Sequence, residues 1–148
     1  QERLEEVRSK YNVSIYKGHD IYSERMDIYA PCALGATIND NTVRKIQADI
    51  VAGAANNQLA NEVRHGEILK DRNIVYAPDF LINAGGIINV YAELENYDRQ
   101  EIIRKTENIF NTTIEILERA KASDVTPNDA ALSIAKERIE IRKRKLEK

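Results

Sequence analysis

Asn83, Gly85 and Gly86 bring together a side-chain amide and two residues without a Cβ, at the end of the run Ala77-Pro78-Asp79-Phe80-Leu81-Ile82-Asn83-Ala84-Gly85-Gly86. The amide offers donors and an acceptor. The glycines let a ligand approach the backbone more closely than any Cβ would permit. Ile74-Val75-Tyr76 reads as a strand leading into this run, and the apolar residues after Gly86 read as a helix. The amide therefore stands at the carboxyl edge of a sheet, where ligands bind in open α/β folds.

Two earlier turns have the same character, Ala30-Pro31-Cys32-Ala33-Leu34-Gly35 and Gly53-Ala54-Ala55-Asn56-Asn57-Gln58. Small residues at strand ends leave room for a ligand, and Asn56 and Asn57 add polar groups. Packing of sheet against helix, with amides as caps, accounts for any one of these turns. Three in succession favour one shared crevice.

Other reactive side chains are isolated. Cys32 is the single cysteine, so it forms neither an intrachain disulfide nor a metal cluster alone, and no basic residue adjoins it to favour a thiolate. His19 and His65 each stand apart from other candidate ligands, which favours surface or structural roles over metal binding or proton transfer. No metal site and no acid/base catalyst is read from these residues. The basic run Arg142-Lys143-Arg144-Lys145 ends a helical pattern, where cations complement the helix dipole and nearby Glu137, Glu140 and Glu147 dilute the charge. Nucleic-acid binding is not expected from it.

The elements that must position the three turns follow from apolar spacing. Gln1 to Lys10 reads as the end of an amphipathic helix, and Val13 to Tyr16 as a short strand. Further strands are expected at Met26–Ala30, Ile50–Ala52 and Ile74–Tyr76. Helices are expected over Asn41–Ala48, capped by Asn39 or Asp40, and over Leu59–Asp71, with Leu59, Val63 and Ile68-Leu69 inward. Alternation of this kind implies parallel βαβ units, and the nearly continuous apolar strands suit a sheet covered on both faces. After Gly86 the pattern is helical alone. One helix runs from Ile87 to Asn96. Asp98 with Glu101 opens a second that ends near Ser123 and carries Ile102, Ile103, Ile109, Phe110, Ile114 and Leu117. Thr126-Pro127 opens a third, with Ala130, Ala131, Ile134, Ala135 and Ile139 as its buried stripe.

The 148 residues include 43% hydrophobic and 31% charged residues with a net charge of -2, the profile of a water-soluble globular chain without a strongly one-signed surface. No apolar run suggests a membrane span. The lone cysteine fits a reducing cytoplasm.

The segments Asp27-Ile28-Tyr29-Ala30-Pro31-Cys32-Ala33-Leu34-Gly35-Ala36, Ala52-Gly53-Ala54-Ala55-Asn56-Asn57-Gln58-Leu59, and Tyr76 to Asp79 with Asn83 to Gly86 closely resemble the amino-acid dehydrogenases acting on glutamate, leucine, phenylalanine and valine, the leucine enzymes most of all. Order and spacing agree over essentially the whole chain, most strongly from Asp27 to Glu93. The resemblance implies a partial Rossmann-like dinucleotide-binding domain over 1–92, its first βαβ half missing, and a carboxyl-terminal helical segment over 93–148. It also implies NAD-dependent oxidative deamination, in which hydride leaves the substrate Cα and the imine is hydrolysed to a 2-oxo acid and ammonia. On the family pattern Ala30, Pro31 and Cys32 contact the cofactor ribose, mainly through backbone, and Asn56 and Asn57 lie near the nicotinamide and its ribose. Asn83 reaches between nicotinamide and substrate carboxylate.

Ile87 and Val90 share a helix face beside Asn83. The resemblance gives the glutamate enzymes a small hydroxyl at the second position, and a carboxylate buried against valine would lose hydration without a partner. The expected substrate is leucine, valine or isoleucine, with phenylalanine still open. In related enzymes the glycine turn for the pyrophosphate and the catalytic lysine and aspartate lie upstream of Gln1, so this chain alone is expected to be inactive. A carboxyl-terminal portion of a homo-oligomeric dehydrogenase is the favoured reading, with a non-catalytic binding or oligomerisation module as the alternative.

Overall fold

The computed structural model describes residues 2–95 and 97–147, so the expectations resting on Gln1, Asn96 and Lys148 lie outside the described residues. The order is α1 (Glu2–Lys10), β1 (Arg25–Tyr29), β2 (Gln47–Val51), α2 (Glu62–Asp71), β3 (Val75–Tyr76), α3 (Asp79–Ile82), α4 (Gly85–Glu95), α5 (Arg99–Ser123) and α6 (Pro127–Leu146), with a short 3-10 turn at Ile21–Ser23. The three strands form one parallel sheet in the order β1-β2-β3. Their carboxyl ends therefore share one edge.

Two apolar clusters support this frame. Ile38, Val43, Ile46, Val51, Leu69 and Tyr76 lead the first, which packs α2 and the loops against the sheet. Ile116, Ala120, Ala130, Ala131 and Ile134 form the second, between α5 and α6. Small alanines let these two helices approach, and the ion pairs Arg119–Glu137 (2.6 Å) and Arg138–Glu115 (2.7 Å) cross their exposed seam. Ion pairs at such exposure contribute little beside the apolar contact. Leu81 of α3 packs on the second cluster, which fixes the Asn83 loop relative to the long helices.

Local signals are realised closely. Asp98 accepts from the Glu101 N–H at 2.8 Å, Thr126 accepts from the Asp129 N–H at 3.2 Å, and α5 ends at Ser123. Asn61 caps α2, accepting from the Arg64 N–H. The outer stripe of α6 differs, since Ala135 and Ile139 are exposed while Ala130, Ala131 and Ile134 are buried.

Four further expectations are corrected. Residues 41–48 form turns and then strand, because Gln47 and Ala48 pair with Arg25 and Met26. The Val43 and Ile46 carbonyls accept from the Arg72 guanidinium at 2.6 Å each instead of from helix amides. Asn39 still caps that turn, accepting from the Asn41 N–H at 3.0 Å. Val13 to Tyr16 makes no strand, since no described strand lies beside it and both ends are exposed. The sheet is not covered on both faces: Ile28, Ile50 and Val75 align in one row and are all exposed, whereas the adjoining row of Tyr29, Val51 and Tyr76 is packed. Finally, Val63 points to solvent at 70% exposure, while Leu69 on the same helix is 0% exposed.

That contrast has a measurable consequence. Leu69→Ala should cost about 2–5 kcal/mol through lost burial and a residual cavity. Val63→Ala should stay within about 0.5 kcal/mol. Urea unfolding midpoints of the two variants distinguish them, and equal losses would show that α2 packs by a different face.

Candidate functional site

All three strand-end turns meet at the carboxyl edge of the sheet, and backbone contacts knit the first to the second. The Ala55 N–H donates to the Pro31 carbonyl at 2.9 Å, and the Ala36 N–H to the Asn57 carbonyl at 2.7 Å. Gly53 is required here, because a Cβ would run into the Pro31 carbonyl. Asn57 adopts a left-handed φ of 52°, a conformation that asparagine tolerates better than most residues.

The second and third turns are joined by side chains. Asn83 Nδ2 donates to Asn56 Oδ1 at 2.5 Å and approaches the Ala54 carbonyl at 3.4 Å. Asp79, nearly buried at the start of α3, accepts from the Gln58 N–H at 2.8 Å through Oδ2 and from the Phe80 N–H at 2.6 Å through Oδ1. Gln58 is wholly buried, and its Nε2 donates to the Gly53 and Ala55 carbonyls at 2.5 and 2.9 Å. Burial, and then the neighbouring Asp79 carboxylate, push the Tyr76 hydroxyl above the usual phenol range. Tyr76 is therefore a neutral phenol beneath the loops.

Ala54, Asn56, Phe80, Asn83, Ala84, Gly86 and Ile87 line an open cleft of about 480 Å³. The structure thus brings Asn56, Asn83 and Ile87 together. Ala30, Pro31, Cys32 and Asn57 do not line the cleft: Pro31 is buried, Ala30 and Cys32 are exposed, and Cys32 Sγ accepts from the Ala54 N–H at 3.4 Å. Val90 lies one helical turn beyond Ile87, exposed and outside that lining. A larger cleft of about 660 Å³ opens at the opposite end of the sheet, between the end of α2 and the α5–α6 turn. It holds none of the strand-end amides.

Gln58 and Asp79 were given no role by sequence reasoning. The signal available was a glutamine directly after two asparagines, and an aspartate directly after the proline that ends a strand. Its meaning depends on a contact across 21 residues. His65, expected to have a structural or surface role, is held on both ring nitrogens. It is buried, its Nδ1 accepts from the Asn61 N–H at 3.0 Å, and its Nε2 meets Asp40 Oδ1 at 3.0 Å. That bond is the main cause holding the Asp40 carboxyl below its ordinary range. No cluster of metal-ligating side chains occurs among the described residues. No helix among them is long and apolar enough to cross a membrane.

A family model described as Glutamate/Leucine/Phenylalanine/Valine dehydrogenase matches residues 1–145. The chain belongs to that family. It is 46% identical over 142 residues to L-tryptophan dehydrogenase of Nostoc punctiforme, covering 96% of this chain and 40% of that protein. It is 50% identical over 121 residues to leucine dehydrogenase of Bacillus subtilis (strain 168), covering 82% of this chain and 33% of that one. A crystal structure of L-tryptophan dehydrogenase from Nostoc punctiforme shares its fold at a TM-score of 0.90 and 46% identity, over 95% of this chain and 42% of that one. The fold is accordingly a partial Rossmann-like α/β unit followed by helices. The chain spans 33–40% of the length of these two curated dehydrogenases.

Two glycines test the geometry of the edge. Gly53→Ala should destabilise the chain by about 1–3 kcal/mol, since backbone must move to admit the methyl group. Gly86→Ala should be neutral or slightly stabilising, because a Cβ there meets nothing within 4 Å and the residue lies in a helix. Thermal midpoints measured side by side decide the point, and a tolerated Gly53→Ala would contradict the observed loop packing.

Proposed function

We propose that this chain is the part of an NAD-dependent amino-acid dehydrogenase that forms one wall of its active site, the side facing the nicotinamide and the substrate carboxylate. The supporting observation is the Asn83–Asn56 bond, which joins amides from two separate turns in a single cleft at the strand ends. Both recorded side-chain bonds of Asn83 use Nδ2, so Oδ1 remains available as an acceptor, and Asn56 keeps its own Nδ2 as a donor. A nicotinamide carboxamide needs one of each. The residues present therefore fit the nicotinamide half of a dinucleotide. They do not fit the pyrophosphate half, because the sequence has no G-x-G-x-x-G turn opening a helix.

In this reading Asn56 and Asn57 hold the nicotinamide and its ribose, and Ala30, Pro31 and Cys32 flank the ribose through backbone. Asn83 orients the substrate carboxylate against the nicotinamide. The cofactor, when bound, supplies the hydride acceptor. The chain's own residues orient the two reactants, which is where binding energy becomes rate. Acid/base groups and the pyrophosphate turn come from the remainder of the enzyme, so the isolated chain is inactive. The exposed Ile28-Ile50-Val75 row is a surface for that remainder to cover. Exposed Phe110 and Ile114 on α5 suit subunit contacts in a homo-oligomer.

Leucine, valine or isoleucine is the substrate class proposed from Ile87, which lines the cleft, with Val90 one helical turn beyond it and outside that lining. Relatives named for leucine and for tryptophan make the choice among apolar side chains the open variable. The full-length enzyme should be assayed with NAD on leucine, valine, phenylalanine, tryptophan and glutamate. Branched-chain substrates should give the highest kcat/KM, with glutamate lower by about 100-fold or more, because its side-chain carboxylate, once enclosed in the full enzyme, would face Ile87 without a polar partner. A preference for glutamate would overturn the apolar pocket.

A further inference from the structure

We propose that Asp79 and Gln58 are positioning residues for the reaction, holding Asn56 and Asn83 in register with each other. This inference rests on the reading that those two amides face nicotinamide and substrate. Asp79 reaches both of them by separate routes. Its carboxylate receives the Gln58 N–H at 2.8 Å, two residues after Asn56. Its carbonyl receives the Asn83 N–H at 3.0 Å. That second bond is the ordinary main-chain bond closing α3, so the carboxylate ties the backbone beside Asn56 to the short helix whose end carries Asn83, across the 2.5 Å Asn83–Asn56 bond.

Gln58 completes the tie from within its own loop. With 0% exposure, its Nε2 bonds to the Gly53 and Ala55 carbonyls set the curvature of the turn that presents Asn56. The turn has few alternatives, because Gly53 is already wedged against Pro31. Neither Gln58 nor Asp79 lines the cleft. They act through the asparagines and not on the reactants.

The carboxylate is chemically suited to the task. Two N–H groups converge on it, one per oxygen, and an ionised carboxylate accepts both. An asparagine could accept only one and would turn its own N–H₂ toward the other donor. Asp79→Asn should therefore release one of the two amides while keeping side-chain volume, and Asp79→Ala should release both. Gln58→Leu would leave the Gly53 and Ala55 carbonyls without their donor.

The test is a double-mutant cycle in the full-length enzyme, read as kcat and as KM for NAD. Asn83→Ala, Asp79→Asn and the pair are compared, and Asp79→Ala is added if it folds. Displacement of a positioning group by about 1 Å costs on the order of 100-fold in rate. Asp79→Asn alone should lower kcat by about that factor. In the Asn83→Ala background the same substitution should lower kcat by less than about threefold, because one of the two amides whose register the carboxylate sets is gone. A merely structural role would give the same factor in both backgrounds, and that result would overturn the proposal. A wild-type kcat for Asp79→Asn, with Asn83→Ala impaired, would also overturn it while leaving the site reading intact. If Asn83→Ala itself had wild-type kcat and KM, the site reading would fail and the proposal with it.

Discussion

The hydrogen bond that the Asp79 carboxylate receives from the Gln58 N–H holds two strand-end turns together at the edge of the sheet. A nearly buried carboxylate is costly unless its oxygens are satisfied, and here the Gln58 N–H of the second turn and the adjacent Phe80 N–H of its own helix satisfy them. That requirement couples the second strand-end turn to the third. The first turn joins through Gly53 and Pro31, whose backbones approach too closely for any side chain at Gly53. Three loops that would otherwise move independently become one surface.

The rest of the fold keeps that surface in place. The parallel register of β1, β2 and β3 puts all three turns on one edge. Leu69 packs on the sheet beneath them, while Leu81 anchors the third turn to the α5–α6 cluster. The helices after Gly86 thereby orient Ile87 at the cleft without themselves contributing a polar group to it. A row of exposed apolar residues lies on the other side of the sheet, and the chain spans 40% of the length of a curated relative.

Much of this was legible in the sequence where the determinants are local. Asp98 and Thr126 cap the helices they were expected to cap, because a capping bond spans only three residues. The three strand-end turns were recognised from small residues and amides; the second and third line one cleft, while the first meets the second through backbone without lining it. Errors arose where a distant partner decides. Residues 41–48 were expected to be helical, yet Arg72 takes their carbonyls and Arg25-Met26 takes their strand. Val63 has an apolar side chain at a plausible spacing, but α2 meets the sheet through Leu69. The Gln58–Asp79 tie carries no local signature, since each residue alone reads as an ordinary turn or helix-start residue.

The most direct measurement of the central claim is a crystal structure of the full-length enzyme with NAD and a branched-chain amino acid or 2-oxo acid bound. The nicotinamide carboxamide is expected within about 3 Å of the Asn56 or Asn83 side chain, at ordinary hydrogen-bond distance, with the substrate carboxylate facing Asn83. A nicotinamide seated away from this edge, for example in the cleft between α2 and the α5–α6 turn, would contradict it.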